Sequence, residues 1–161
     1  MFITKHLAAS YSSKKWHINF LKYIFSVTYF IAFLYLVFFA KRRRHQSDYF
    51  LNIVPLKNTF KGWANINYSI GREVFSFYSN LVGNVVLFIP FSIISVVVFN
   101  IQSRARIILL SFGLSFVVEL LQYVFRVGVA DIDDILLNVT GALIGIVICN
   151  VFKKSRQISA S

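Results

Sequence analysis

The side chains of this sequence that can do chemistry fall into three short series. Asn80, Gly83 and Asn84 form the first, and Ser115, Glu119, Gln122 and Arg126 the second. The third runs Asp131, Asp134, Asn138, Gly141 and Gly145, with Asp133 beside its start. Members of each series stand mostly three or four apart, the spacing that places side chains on one helical face. The intervening residues are almost all apolar, and a polar group inside an apolar span is kept for pairing or for function. Glu119 is the sharpest case, because it lies about one and a half turns inside its run. A carboxylate withdrawn from water must be paired or protonated. One expectation makes Glu119 a general base with Asp131 and Asp134 as partners; the other makes it a structural ion pair with Arg126 or Arg72. Each remaining residue also has a purely structural reading. Asp131 with Asp134 resembles an N-cap with a supporting acid. Asn80 caps a helix, Asn84 bonds across helices for about 0.6 kcal/mol, and Arg126 snorkels to the head groups.

Other chemistries find no support. His6, His17 and His45 stand outside the three series, so neither a histidine triad nor a zinc site is expected. No glycine-rich phosphate loop precedes a helix. Glu73, Glu119, Asp131, Asp133 and Asp134 offer oxygen for a hard divalent cation, but their spacing matches no calcium loop. The expectation is therefore no metal and no cofactor. The single cysteine, Cys149, lies in an apolar run and has no partner for a disulfide.

The elements that must position these residues follow from composition. Of 161 residues, 57% are hydrophobic, 17% aromatic and 14% charged, more apolar surface than one soluble domain can bury. Crossing a hydrocarbon core about 30 Å thick takes roughly 20 helical residues. Four runs qualify: 18–40, 78–99, 107–125 and 135–152. The reading is an all-α, multi-pass membrane protein, a bundle of about four transmembrane helices in one domain spanning 18–152. It is preceded by a cytoplasmic segment 1–17 and followed by a basic tail 153–161. The first run is too long for the core of a secretory signal and ends in Lys41-Arg-Arg-Arg44 without a cleavage site, so it reads as a retained anchor. The loop 41–77 carries Trp63 and Tyr68, rings that favour the membrane interface. Gly141 and Gly145 make a G-x-x-x-G pair, which lets a second helix approach closely in lipid, and Gly83 is grouped with them as a packing position.

The net charge of +11 comes from basic clusters flanking the apolar runs, a pattern set by membrane orientation and anionic head groups. No nucleic-acid recognition module accompanies it. With the N-terminus inside, Lys and Arg divide nine inside to eight outside. Both termini are placed inside because the short second loop and the tail carry bases without acids; the Lys41–Arg44 cluster argues the other way. Antiparallel connectivity places the start of the second span, the end of the third and the start of the fourth at one membrane surface. The polar residues therefore gather at one end of the bundle, beneath the long loop.

At these residues the chain resembles the VanZ-like membrane proteins, whose founding member is associated with teicoplanin resistance. The resemblance runs from about Leu51 to Gly145. It rests on Asn52-Ile-Val-Pro-Leu56, Asn80-Leu-Val-Gly-Asn84 leading to Phe88-Ile-Pro-Phe91, Glu119-Leu-Leu-Gln122, and Asp131-Ile-Asp-Asp134 followed by Asn138, Gly141 and Gly145. The length and the acid-rich start of the last span also resemble the founding member. Leu56 stands where the family often has Phe, Ser92 where it often has Gly, and Arg126 matches the family's arginine only loosely. The resemblance implies a cell-membrane role in glycopeptide resistance, teicoplanin before vancomycin, and supplies no reaction. Its site would comprise Glu119, Asp131, Asp133, Asp134, Asn52, Asn80, Asn84, Gln122, Arg126 and Asn138, facing outward toward lipid, a lipid-linked cell-wall precursor or the acyl chain of teicoplanin. Two alternatives stay open: an enzyme acting on a lipid or lipid-linked head group, and a non-catalytic assembly subunit or small transporter whose glycine face binds a partner helix.

Overall fold

The computed structural model describes residues 2–39, 51–126 and 130–158. The Lys41–Arg44 cluster, the rest of 40–50 and the end of the tail, 159–161, lie outside the described residues. Five helices account for most of the remainder: α1 (Phe2–Phe38), α2 (Lys57–Asn65), α3 (Gly71–Val97), α4 (Arg104–Val124) and α5 (Ile132–Ile158). Four of them contain segments long and apolar enough to cross a membrane: Trp16–Phe39, Gly71–Val97, Arg104–Val124 and Ile132–Ser155.

The helices outrun the apolar runs that announce them. α1 has 37 residues, about 55 Å at 1.5 Å per residue, so its first part projects well beyond a hydrocarbon core. α3 begins at Gly71 rather than Tyr78, and α5 runs on through Lys153 and Lys154 at the start of the basic tail. Hydropathy reports where lipid touches a helix, whereas helicity continues for as long as the backbone stays hydrogen-bonded.

α3 and α5 form the closest pair. Their register is set where the backbones meet: a Cβ placed on Gly141 would overlap the Val85 carbonyl, and one on Gly145 would sit 2.6 Å from Ile89 O and 2.8 Å from Ser92 Cβ. Ser92 Oγ donates to Ala142 O at 2.8 Å across the same seam. α4 packs against α5 and closes one apolar cluster with it and α3, built on Val96, Ile107, Ile146 and Cys149. α1 leans on the other side through Phe33, Val37, Phe88 and Val118, and Tyr29 Oη donates to Leu87 O at 2.9 Å.

The long loop is not structureless. α2 lies within it, leaving Phe60 and Trp63 exposed, and two short strands, β1 (Leu51–Asn52) and β2 (Ala130–Asp131), pair in parallel with Leu51 opposite Ala130 and Asn52 opposite Asp131. Neither element was foreseen. α2 is short and polar, and a two-residue parallel pairing between segments nearly eighty positions apart leaves no periodic trace.

Candidate functional site

The start of α5 organises one end of the bundle through three acids with separate tasks. Asp131 sits at the N-cap position, still in strand conformation, and its Oδ1 accepts from the N–H of Asp133 at 3.0 Å, satisfying an amide that the helix itself leaves unpaired. The same oxygen accepts from Asn52 Nδ2 at 2.7 Å, so the side chains reinforce the β1–β2 register. Asp133 is buried and turns toward the loop. Its Oδ1 accepts from Leu56 N, and its Oδ2 from Thr59 N at 3.0 Å and Thr59 Oγ1 at 2.9 Å. It thus caps α2 from a different helix, and Leu56 is held there at φ 62°, a left-handed conformation unusual for a residue with a Cβ. Asp134 turns the other way, toward α3, and accepts from Asn80 Nδ2 at 3.3 Å.

Glu119 enters from α4. It is 4% exposed, and its Oε2 accepts from the N–H of Asp131 at 3.0 Å. This bond ties the buried acid to the turn before α5. One level deeper the polar character continues between helices. Asn138 Nδ2 donates to Ser115 Oγ at 2.8 Å, while Asn138 Oδ1 and Asn84 Nδ2, both buried, have no hydrogen-bond partner among the described residues. Gln122 is fully buried and its Nε2 donates to Val37 O at 3.1 Å, anchoring α1 to α4.

Asn52, Asn80, Glu119, Asp131, Asp133 and Asp134 are therefore together at one end, with Asn84 and Asn138 just beneath. Arg126 is exposed, in left-handed conformation at φ 56° just past α4. Gly83 does not share the buried stripe and is exposed. The stripe on α3 follows the four-residue step Asn80, Asn84, Phe88, Ser92; a three-residue step turns about 60° away from it, given roughly 100° per residue. Thr59 was not anticipated, and no local pattern marks it, because its partner belongs to the start of α5. Ser92, Ser95 and Ser111, all buried, extend the polar seam; Ser111 stands one four-residue step before Ser115, a spacing that would have revealed it.

Two spaces adjoin the acids. A small cavity of about 90 Å³ lies among Thr59, Asn80, Asp131, Asp133, Asp134 and Leu137. A larger groove of about 440 Å³ runs between β1 and the α4–α5 pair, walled by residues such as Ile53, Phe112, Phe116 and Ile135, with Glu119, Asp131 and Asn52 on its polar edge. Among the described residues no three His, Cys, Asp or Glu side chains assemble as a metal site. Asp131 Oδ1 and both oxygens of Asp133 already receive backbone and side-chain donors.

These features define an all-α membrane protein with a polar, acid-rich cluster bonded to its own loop at one end of the bundle. The VanZ/LLP1 family model matches residues 20–153, most of the chain, and the chain belongs to that family. The match extends into the second half of α1 as well, beyond the segment on which the motifs fall. No curated protein and no solved structure matches the chain.

Proposed function

We propose that this protein acts in the bacterial plasma membrane to lower sensitivity to a glycopeptide antibiotic, teicoplanin before vancomycin, through the acidic end of the bundle, which faces outward. The observation that carries the reading is the groove between β1 and the α4–α5 pair. Its apolar walls suit an acyl chain, and Glu119, Asp131 and Asn52 on its edge suit hydrogen-bond donors of an attached polar head. Teicoplanin carries such a chain and vancomycin does not, so a site of this shape discriminates between them. A lipid-linked cell-wall precursor has the same two-part form and is the other ligand of this class. Family membership supports a membrane role and leaves the ligand to be identified.

The test is the teicoplanin and vancomycin susceptibility of a sensitive Gram-positive host expressing the wild type, Glu119→Gln or Asp134→Asn, with membrane levels checked by immunoblot. The wild type is expected to raise the teicoplanin threshold and both variants to lose that protection at equal membrane levels. Equal protection by the variants would show the acids to be structural, and no protection by the wild type would end the resistance reading. The position of Glu119 on the groove edge favours a second reading, a general base acting on a bound lipid head group. That reading requires a modified lipid in membranes holding the wild type and its absence with Glu119→Gln.

A further inference from the structure

The end of the bundle away from the acids is basic. α4 begins there with Arg104 and Arg106, and α5 leaves it through Lys153 and Lys154. Among the described residues this end holds no carboxylate, since Glu73, Glu119, Asp131, Asp133 and Asp134 all lie toward the other. Lys22 stands inside the span Trp16–Phe39, nearly two turns past its start. It is the only residue from Trp16 to Phe25 that is not exposed.

The reason is a cleft of about 630 Å³ between α1 and the C-terminal parts of α3 and α5, into which Lys22 faces. Val96, Ile148, Cys149 and Phe152 give the cleft apolar walls, and Lys153 stands at its edge with Nζ donating to Gln102 Oε1 at 2.6 Å. A half-buried lysine inside an apolar span, with no carboxylate at its end of the bundle among the described residues, calls for an anion from outside. Basic pockets between spans hold anionic lipid head groups, each lysine near the surface adding to the attraction.

We propose that the α1/α3/α5 cleft binds one anionic phospholipid, an acyl chain lying along Val96, Ile148 and Phe152 with the phosphate between Lys22 and Lys153. A phosphocholine head group brings its own cation to the lysine pair and binds less well. The site is distinct from the acidic end and stands whether or not the proposed antibiotic role does.

Cys149, the single cysteine, lines the cleft and reports its occupancy. The full chain, purified in dodecylmaltoside micelles, is treated with N-ethylmaleimide at increasing mole fractions of phosphatidylglycerol or phosphatidylcholine. Phosphatidylglycerol is expected to slow modification of Cys149 at lower mole fraction than phosphatidylcholine. Lys22→Gln and Lys153→Gln should each raise its half-protecting fraction about five-fold. Lys153 is exposed, so its variant tests the site even if Lys22→Gln does not fold. Arg104→Gln, at the same end but outside the cleft, should leave the midpoint in place. The proposal is overturned by equal protection from the two lipids, by no protection from either, by inorganic phosphate protecting as well as the lipid, or by Arg104→Gln shifting the midpoint as far as the cleft variants.

Discussion

Replacing Asp133 by Ala removes three hydrogen bonds at once, and all three hold one small element. The carboxylate accepts from Leu56 N, Thr59 N and Thr59 Oγ1, so α2 depends on a side chain of α5 for its N-terminal amides. Loss of an N-cap acceptor costs about 0.5–2 kcal/mol. Here the acceptor is a carboxylate with several donors, which puts the effect near the top of that range, about 2 kcal/mol. The left-handed Leu56 is then free to relax. α2 packs chiefly on α5 among the helices, so the opening should stay local. Hydrogen exchange of the full-length protein in micelles, read by mass spectrometry, is the assay. Peptides covering Val54–Asn65 are expected to exchange roughly thirty-fold faster, at 1.4 kcal/mol per factor of ten, while peptides from the middle of α3 and α5 stay unchanged. Asp133→Asn, which keeps one good acceptor, should fall between. The reasoning is refuted if α2 exchanges as in the wild type, or if α5 loosens as much as α2.

Gly141→Ala should destabilise the α3–α5 seam by about 1–3 kcal/mol through overpacking, seen as a lower unfolding midpoint in denaturing detergent. Gly113→Ala, where a Cβ meets nothing within 4 Å, should be neutral or stabilising by up to about 1 kcal/mol. Asn84→Leu removes a buried donor that has no partner among the described residues and should leave that midpoint unchanged or raise it; Asn138→Leu breaks the bond to Ser115 and should lower it by about 0.6 kcal/mol. If the acidic end faces outward, a cysteine at Ser69 in a Cys149→Ser background reacts with an impermeant maleimide on intact cells, and one at Ser103 reacts only after the cells are opened.

What the sequence disclosed and what it hid have different physical origins. Spans were legible because lipid imposes a length and a hydropathy on any helix that meets it. The approach of Asn80 to Asp134 was legible as well, because a four-residue step and antiparallel connectivity together place both at one end. The task of Asp133 was not: an acid one position from two others carries no sign of which amides it will meet, and here they belong to a helix that composition alone leaves as loop. Gly83 is exposed because it stands a three-residue step from Asn80, whereas from Asn80 to Ser92 the inward stripe of α3 follows the four-residue step. The β1–β2 pair was out of reach, since its partners are set by the folded bundle rather than by neighbours in sequence.

That pairing gives the molecule an order of assembly. When a ribosome has released the chain as far as Phe125, the first three spans exist and Asn52, Leu56, Thr59, Asn80 and Glu119 have all been made, yet none has its partner from the start of α5. Only when residues 130–134 emerge does the strand beside Asn52 appear, together with the carboxylates that take the amides of the loop and the side chain of Asn80. The acidic end is thus finished by the fourth span, α5. Until then β1 has no strand to pair with, and the N-terminal amides of α2 lack the carboxylate that receives them in the finished fold.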